Sequence, residues 1–150
     1  MNLKEKIALL MRKQTSPALI TKPQHKKEAV LVLNELGIPE HSEFFEFYST
    51  YYGGDLDHRE GASVMVDAII PQKSLLRTAF FAHEVWEVPE QYILFSTGEG
   101  DGGYLYNKDD GTVWDFNLGE QKLLGTDALR HWHSFYEFMV WYLTGTDDEE

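Results

Sequence analysis

A chain of 150 residues has the length of one domain with a full hydrophobic core, and 43% hydrophobic residues with 21 aromatics (Phe 9, Tyr 8, Trp 4) exclude a disordered chain. The absence of cysteine excludes a disulfide scaffold, a thiol nucleophile and a thiolate-held metal or iron–sulfur site. The net charge of −12 is lopsided, with seven basic and two acidic side chains in residues 1–30 against six basic and 23 acidic in residues 31–150, and such an acidic body repels nucleic-acid phosphate and anionic membrane.

Residues 1–13 read as an amphipathic helix, with Leu3, Ile7, Leu10 and Met11 at helical spacing. Its apolar stretch is too short for a secretory leader, and no run in the chain is long enough to span a bilayer. The expectation is therefore a soluble, cytoplasmic protein. Thr15-Ser-Pro17 punctuates the chain. Residues 26–36 form a second helix, and Gly37 stands where a left-handed C-terminal cap is needed. Pro39 suits the first turn of a third helix. That helix runs to about Tyr51 with Phe44, Phe47, Tyr48 and Tyr51 on one stripe. Residues 55–61 are a polar loop and residues 63–70 a strand. Pro71 opens a fourth helix through Leu75, Leu76 and Phe80.

The pattern then changes. Residues 92–95, 103–106 and 112–116 are short β-rich runs. Gly98-Glu-Gly-Asp-Gly-Gly103 and Asn107-Lys-Asp-Asp-Gly111 join them with hairpin chemistry, which makes an antiparallel meander. Ser134-Phe-Tyr-Glu137 is a capping box that starts a last helix with Phe135, Phe138, Met139 and Tyr142 on one face. Residues 144–150 form an acidic, frayed tail. Helices before and after a meander predict a single α+β domain over residues 1–150.

Chemical motifs are few. The glycines from Gly98 to Gly103 do not cradle phosphate, because a strand follows them and Glu99 and Asp101 would repel an anion. Counted from Asn107, a calcium loop would need an acidic twelfth residue, and Leu118 stands there. Asp55-x-Asp57 beside His58 and Arg59 reads as a solvated loop. His131-x-His133 lacks further ligands, so no metal and no cofactor are expected. Neither a Gly-x-Ser-x-Gly elbow nor a His-Glu-x-x-His pair occurs, so no catalytic residues are nominated and binding is the default.

The ordered set of segments resembles the SUKH superfamily, which includes fungal Smi/Knr cell-wall assembly regulators and many bacterial immunity proteins. Leu36-Gly-Ile-Pro-Glu-His-Ser-Glu-Phe-Phe-Glu-Phe-Tyr-Ser-Thr-Tyr-Tyr-Gly53 is similar to its "LP…F…G" helix. Tyr92 to Tyr106 is similar to its strand, glycine–aspartate turn and strand, and Thr112-Val-Trp-Asp115 to the strand that follows. Ser134-Phe-Tyr-Glu-Phe-Met139 is similar to its "SF.EF" helix. The resemblance implies a mostly antiparallel central sheet flanked by helices, with no shared catalytic residues. It also implies an immunity-type function, in which the protein binds and neutralises a basic toxin such as a nuclease.

Such binding would set carboxylates against the Lys and Arg with which the toxin grips nucleic acid, with aromatic anchors between them. The candidate contacts are Glu84, Trp86, Glu87, Glu99, Asp101 and Asp115, all acidic or aromatic and near predicted loops or strand ends. Trp86 fits a core position as well as an anchor. The expected state is a monomer or weak homodimer. Two other readings stand beside this one. One is a Smi/Knr-type regulatory scaffold, and the other a small-ligand binder or enzyme with a cleft between sheet and helices.

Overall fold

The computed structural model describes residues 2–14, 25–54, 56–69, 73–98 and 101–145. Residues 15–17, Asp55, Ile70, Pro71, Glu99, Gly100 and the tail from 146 to 150, on which parts of the sequence reading fall, lie outside them. The elements run α1 (Leu3–Arg12), α2 (Lys26–Glu35), α3 (Glu43–Thr50), α4 (Ser74–Glu84), β1 (Tyr92–Leu94), β2 (Gly102–Asn107), β3 (Val113–Asn117), β4 (His131–Trp132) and α5 (Phe135–Leu143). A 3-10 turn at Gln121–Leu123 precedes β4. The strands form one antiparallel meander in the order β1-β2-β3-β4, and the class is α+β as expected.

Helix starts follow from side-chain acceptors. Asn2 and Glu5 form a reciprocal capping box at α1 (Glu5 N–H to Asn2 Oδ1, 2.8 Å). Ser42 Oγ accepts from Phe45 N–H, so α3 starts at Glu43, later than Pro39 predicts. Pro39 lies instead in the preceding turn, where its carbonyl accepts from Ser42. Ser134 Oγ accepts from Glu137 N–H at the head of α5.

Both faces of the sheet are covered, which is why all six residues of β2 are buried. Ile93, Phe95, Tyr104, Tyr106 and Val113 face a core built with α1, α2, α3 and α5. Tyr92, Leu94, Leu105, Trp114 and Phe116 face a second core with Ala82, Trp86, Val88 and Leu129. Phe44 of α3 stacks on Tyr106 with centroids 4.2 Å apart and meets Phe95 and Phe135 edge-on. At the start of β2, a Cβ on Gly103 would lie 2.6 Å from Ser96 Oγ, so only glycine lets the two strands close there.

The strand expected at residues 63–70 does not form in the described part. Only Met65 bridges the sheet, opposite Ser96. Side chains satisfy much of this backbone instead. Ser63 N–H bonds Tyr104 Oη (3.2 Å), Met65 N–H bonds Tyr142 Oη (3.0 Å), and Tyr48 Oη donates to Val66 O (2.9 Å). The buried Asp67 carboxylate accepts from Gly53 N–H at 2.7 Å and Ile69 N–H at 2.9 Å. The same segment launches α4, because Leu75 N–H bonds Asp67 O.

The basic α1 packs on the protein's own body, against α5. Lys4 Nζ pairs with Glu46 Oε2 at 2.8 Å, while Tyr136 Oη donates to Glu46 Oε1. One carboxylate therefore ties α1, α3 and α5 together. Burial pushes the Glu46 carboxyl up, but the Lys4 and Tyr136 donors prevail and hold it below its ordinary 4.5.

Two outcomes follow from these contacts. Asp67→Ala leaves two buried N–H groups without an acceptor and should lower unfolding stability by about 2–4 kcal/mol, read by urea denaturation. The stabilisation from Glu46 is complete above its ordinary value and is lost as pH falls through the depressed one, so Glu46→Gln should flatten the acid limb of a stability–pH profile.

Candidate protein-binding surface

Helix α4 covers the free edge of β1. Thr78 Oγ1 donates to Leu94 O, and His83 Nε2 donates to Tyr92 O at 2.7 Å, so side chains stand in for a further strand. Leu75, Ala79 and Ala82 form the buried face of the helix. The small Ala79 and Ala82 allow close approach, and the bulkier apolar residues are turned outward. Phe80 is 67% exposed, Val85 62% and Phe81 38%. These exceed what scattered surface apolar residues explain, because they are neighbours on one helix and its C-cap.

Carboxylates surround them. Glu84 lies one turn after Phe80, and Glu87 and Glu90 follow in the loop to β1. All three are exposed, and none forms an ion pair with another described residue. Glu87 takes a left-handed conformation (φ 57°), which turns the chain so that Trp86 and Val88 both enter the second core. Beside this corner a groove of about 430 Å³ separates α2 from α4. Leu36, Leu76, Ala79 and Ile93 line its floor, Phe80 one wall, and Glu35 and Glu90 its rim.

The six predicted contacts do not share one face. Glu84 and Glu87 belong to the exposed corner. Trp86 does not: it is 3% exposed, packed against Phe116 and under the edge of Phe81, and is a core residue. Its reading as an anchor is corrected, and Phe80 and Val85 hold the exposed positions in its place. Glu99 lies outside the described residues. Asp101 is exposed at the head of β2, where its carbonyl accepts from Leu118 N–H. Asp115 is half-buried and pairs in register with Tyr104, on the sheet face opposite the Trp86 core. Burial raises the Asp115 carboxyl above its ordinary 3.8, opposed by Arg130 and reinforced by Glu120.

Other clusters do less. His131 stacks on Trp114 with centroids 4.3 Å apart and bonds Leu129 O, so it is a packing residue. The hollow beside the β2–β3 turn brings His41 and His133 near Glu43 and Asp110, but Glu43 Oε1 already accepts from Tyr136 N–H. Among the described residues no three His, Asp or Glu side chains are placed to hold a metal ion, and no helix is long and apolar enough to cross a membrane. Compared with known proteins, the chain matches no family model, no curated protein and no solved structure.

The raised Asp115 carboxyl carries a sign that can be tested. Such a group favours the fold when protonated, below its unfolded value, and that contribution is lost as pH rises through its folded value. Asp115→Asn should therefore raise the melting temperature at pH 7, with the difference shrinking in acid.

Proposed function

We propose that this is an immunity-type protein that binds and neutralises a basic toxin, of the kind that grips nucleic acid, by stoichiometric occlusion. One observation carries the reading: an exposed apolar cluster, Phe80, Phe81 and Val85, is bordered by Glu84, Glu87 and Glu90, which have no cationic partner among the described residues. Apolar anchors bordered by charge match the anatomy of a protein interface, in which a dry centre sets the off-rate and a charged rim steers encounter. The net charge of −12 adds long-range attraction for a cationic partner and repels nucleic acid itself. The resemblance to SUKH proteins supports the same reading, since the α+β arrangement it implies is the one observed. The cytoplasm is the compartment in which such a protein would meet its toxin.

The test is an equimolar titration against a panel of basic nuclease toxins. One of them should lose activity at a single equivalent of this protein. The association rate should fall about tenfold or more as salt rises from low to above physiological. Glu84→Gln with Glu87→Gln should slow association without unfolding the protein, since both side chains are exposed. If no toxin is quenched at equimolar protein, the reading is overturned.

A further inference from the structure

The groove between α2 and α4 admits a more specific statement, which rests on the immunity reading for its biological partner but not for its geometry. We infer that this groove receives one amphipathic helix of the partner, with an apolar ridge on Phe80 and Leu31 and with Lys or Arg beside Glu35 and Glu90. Three observations lead there.

The first is exposed apolar surface at the groove, where Phe80 lines it, and beside it, where Leu31 precedes the lining residue Glu35 on α2. Phe80 of α4 is 67% exposed and Leu31 of α2 is 64% exposed. Leu31 stands one turn before Glu35, which lines the groove. The groove floor is Leu36, Leu76, Ala79 and Ile93. An apolar trough between two helices fits the ridge of a third.

The second is that strand addition at the nearest sheet edge is closed. The outward carbonyls of Tyr92 and Leu94 on β1 are already bonded by His83 and Thr78 of α4. A partner arriving on this side meets helix surface and not backbone.

The third is charge. Lys108, whose Nζ donates to Leu36 O at 2.9 Å, stands in the groove lining against two carboxylates, Glu35 and Glu90, so the lining is net negative. The carboxylates of Glu35 and Glu90 are exposed, with a third, Glu84, one turn beyond Phe80. A second copy of this chain would bring the same carboxylates across a two-fold axis, like against like. A basic helix meets them with opposite charge.

The probe is a synthetic amphipathic peptide of about 18 residues, long enough to form a helix on binding, with a leucine ridge flanked by lysines. Two controls go with it, one with the leucines replaced by serine and one with the lysines replaced by glutamate. Fluorescence anisotropy on the full chain should show binding of the first peptide alone. Phe80→Ser and Leu31→Ser should each weaken it about tenfold, and Glu35→Gln with Glu90→Gln about threefold to tenfold. All four positions are exposed, so unchanged circular dichroism is expected. No binding, or binding indifferent to Phe80→Ser, overturns the inference. So does a dimer in sedimentation that Phe80→Ser dissolves, which assigns the groove to a second copy. Peptide binding without quenching of any toxin sustains the groove and overturns the immunity reading. Toxin quenching unchanged by Phe80→Ser sustains the immunity reading and overturns the groove.

Discussion

The segment at 63–69, buried at Met65 and from Asp67 to Ile69, sets the constraint on which the rest of the architecture depends. Its ladder is limited to two backbone bonds around the Met65 bridge, Val66 N–H to Phe95 O and Thr97 N–H to Val64 O, and a buried backbone group without a partner costs about 1–3 kcal/mol. The partners come from far away in sequence: Tyr48 on α3, Tyr104 on β2 and Tyr142 on α5. Each phenol buries its ring in the main core and holds its hydroxyl against this strand-like stretch. Burial raises Tyr48 and Tyr142 well above the ordinary tyrosine value, so these hydroxyls keep their protons at any ordinary pH. The tyrosine-rich composition thus reflects a hydrogen-bonding task as much as an apolar one.

That constraint propagates to the surface. Asp67 O fixes the first turn of α4 through Leu75 N–H, and α4 then lies along β1 with Thr78 and His83 against its edge. A helix used as an edge cover needs only a narrow buried face. Leu75, Ala79 and Ala82 provide it, and the remaining apolar residues of α4 must point elsewhere. The exposed Phe80 and Val85 are therefore consequences of how α4 is docked, and they give the molecule an apolar surface beside a row of carboxylates.

The parts legible in the sequence were those governed by local chemistry. The meander was readable because Gly and Asp-Gly turns sit between alternating runs. The last helix was readable because Ser134 precedes Glu137 at capping distance. Residues 63–70 were misread because their apolar pattern is that of a strand, and nothing local reveals that phenols from three other elements complete the backbone. In α4 the run Leu-Leu-Arg-Thr-Ala-Phe-Phe-Ala is apolar on nearly every side, so periodicity could not choose the buried face. The two alanines held the signal, since small residues mark where a helix approaches a sheet closely. Reading them would have turned Phe80 outward and allowed the next bulky aromatic, Trp86, to fill the second core. Asp115 was nominated for its charge and its place near a predicted strand end, and its register with Tyr104 on the opposite sheet face was not available to a reading along the chain.

Cations are distributed so that they do not cancel the acidic corner. Arg59 lies over the Trp141 ring at 5.0 Å and donates to Trp141 O, which fastens the loop before residue 60 to the end of α5. Arg130 lies over Trp132 and Trp141 at 4.9 and 4.7 Å. Both guanidiniums are thus held on aromatic faces beside α5, across the sheet from the second core. Lys4 is held by Glu46, and Lys108 caps α2. Arg77 of α4 lines the other side of its helix, with Val66 and Leu94. Arg59, Arg130 and Lys4 are thus engaged elsewhere, while Lys108 shares the groove with Glu90. In the proposed complex a cationic partner would pair with the exposed carboxylates of Glu84, Glu87 and Glu90 while it buries Phe80 and Val85.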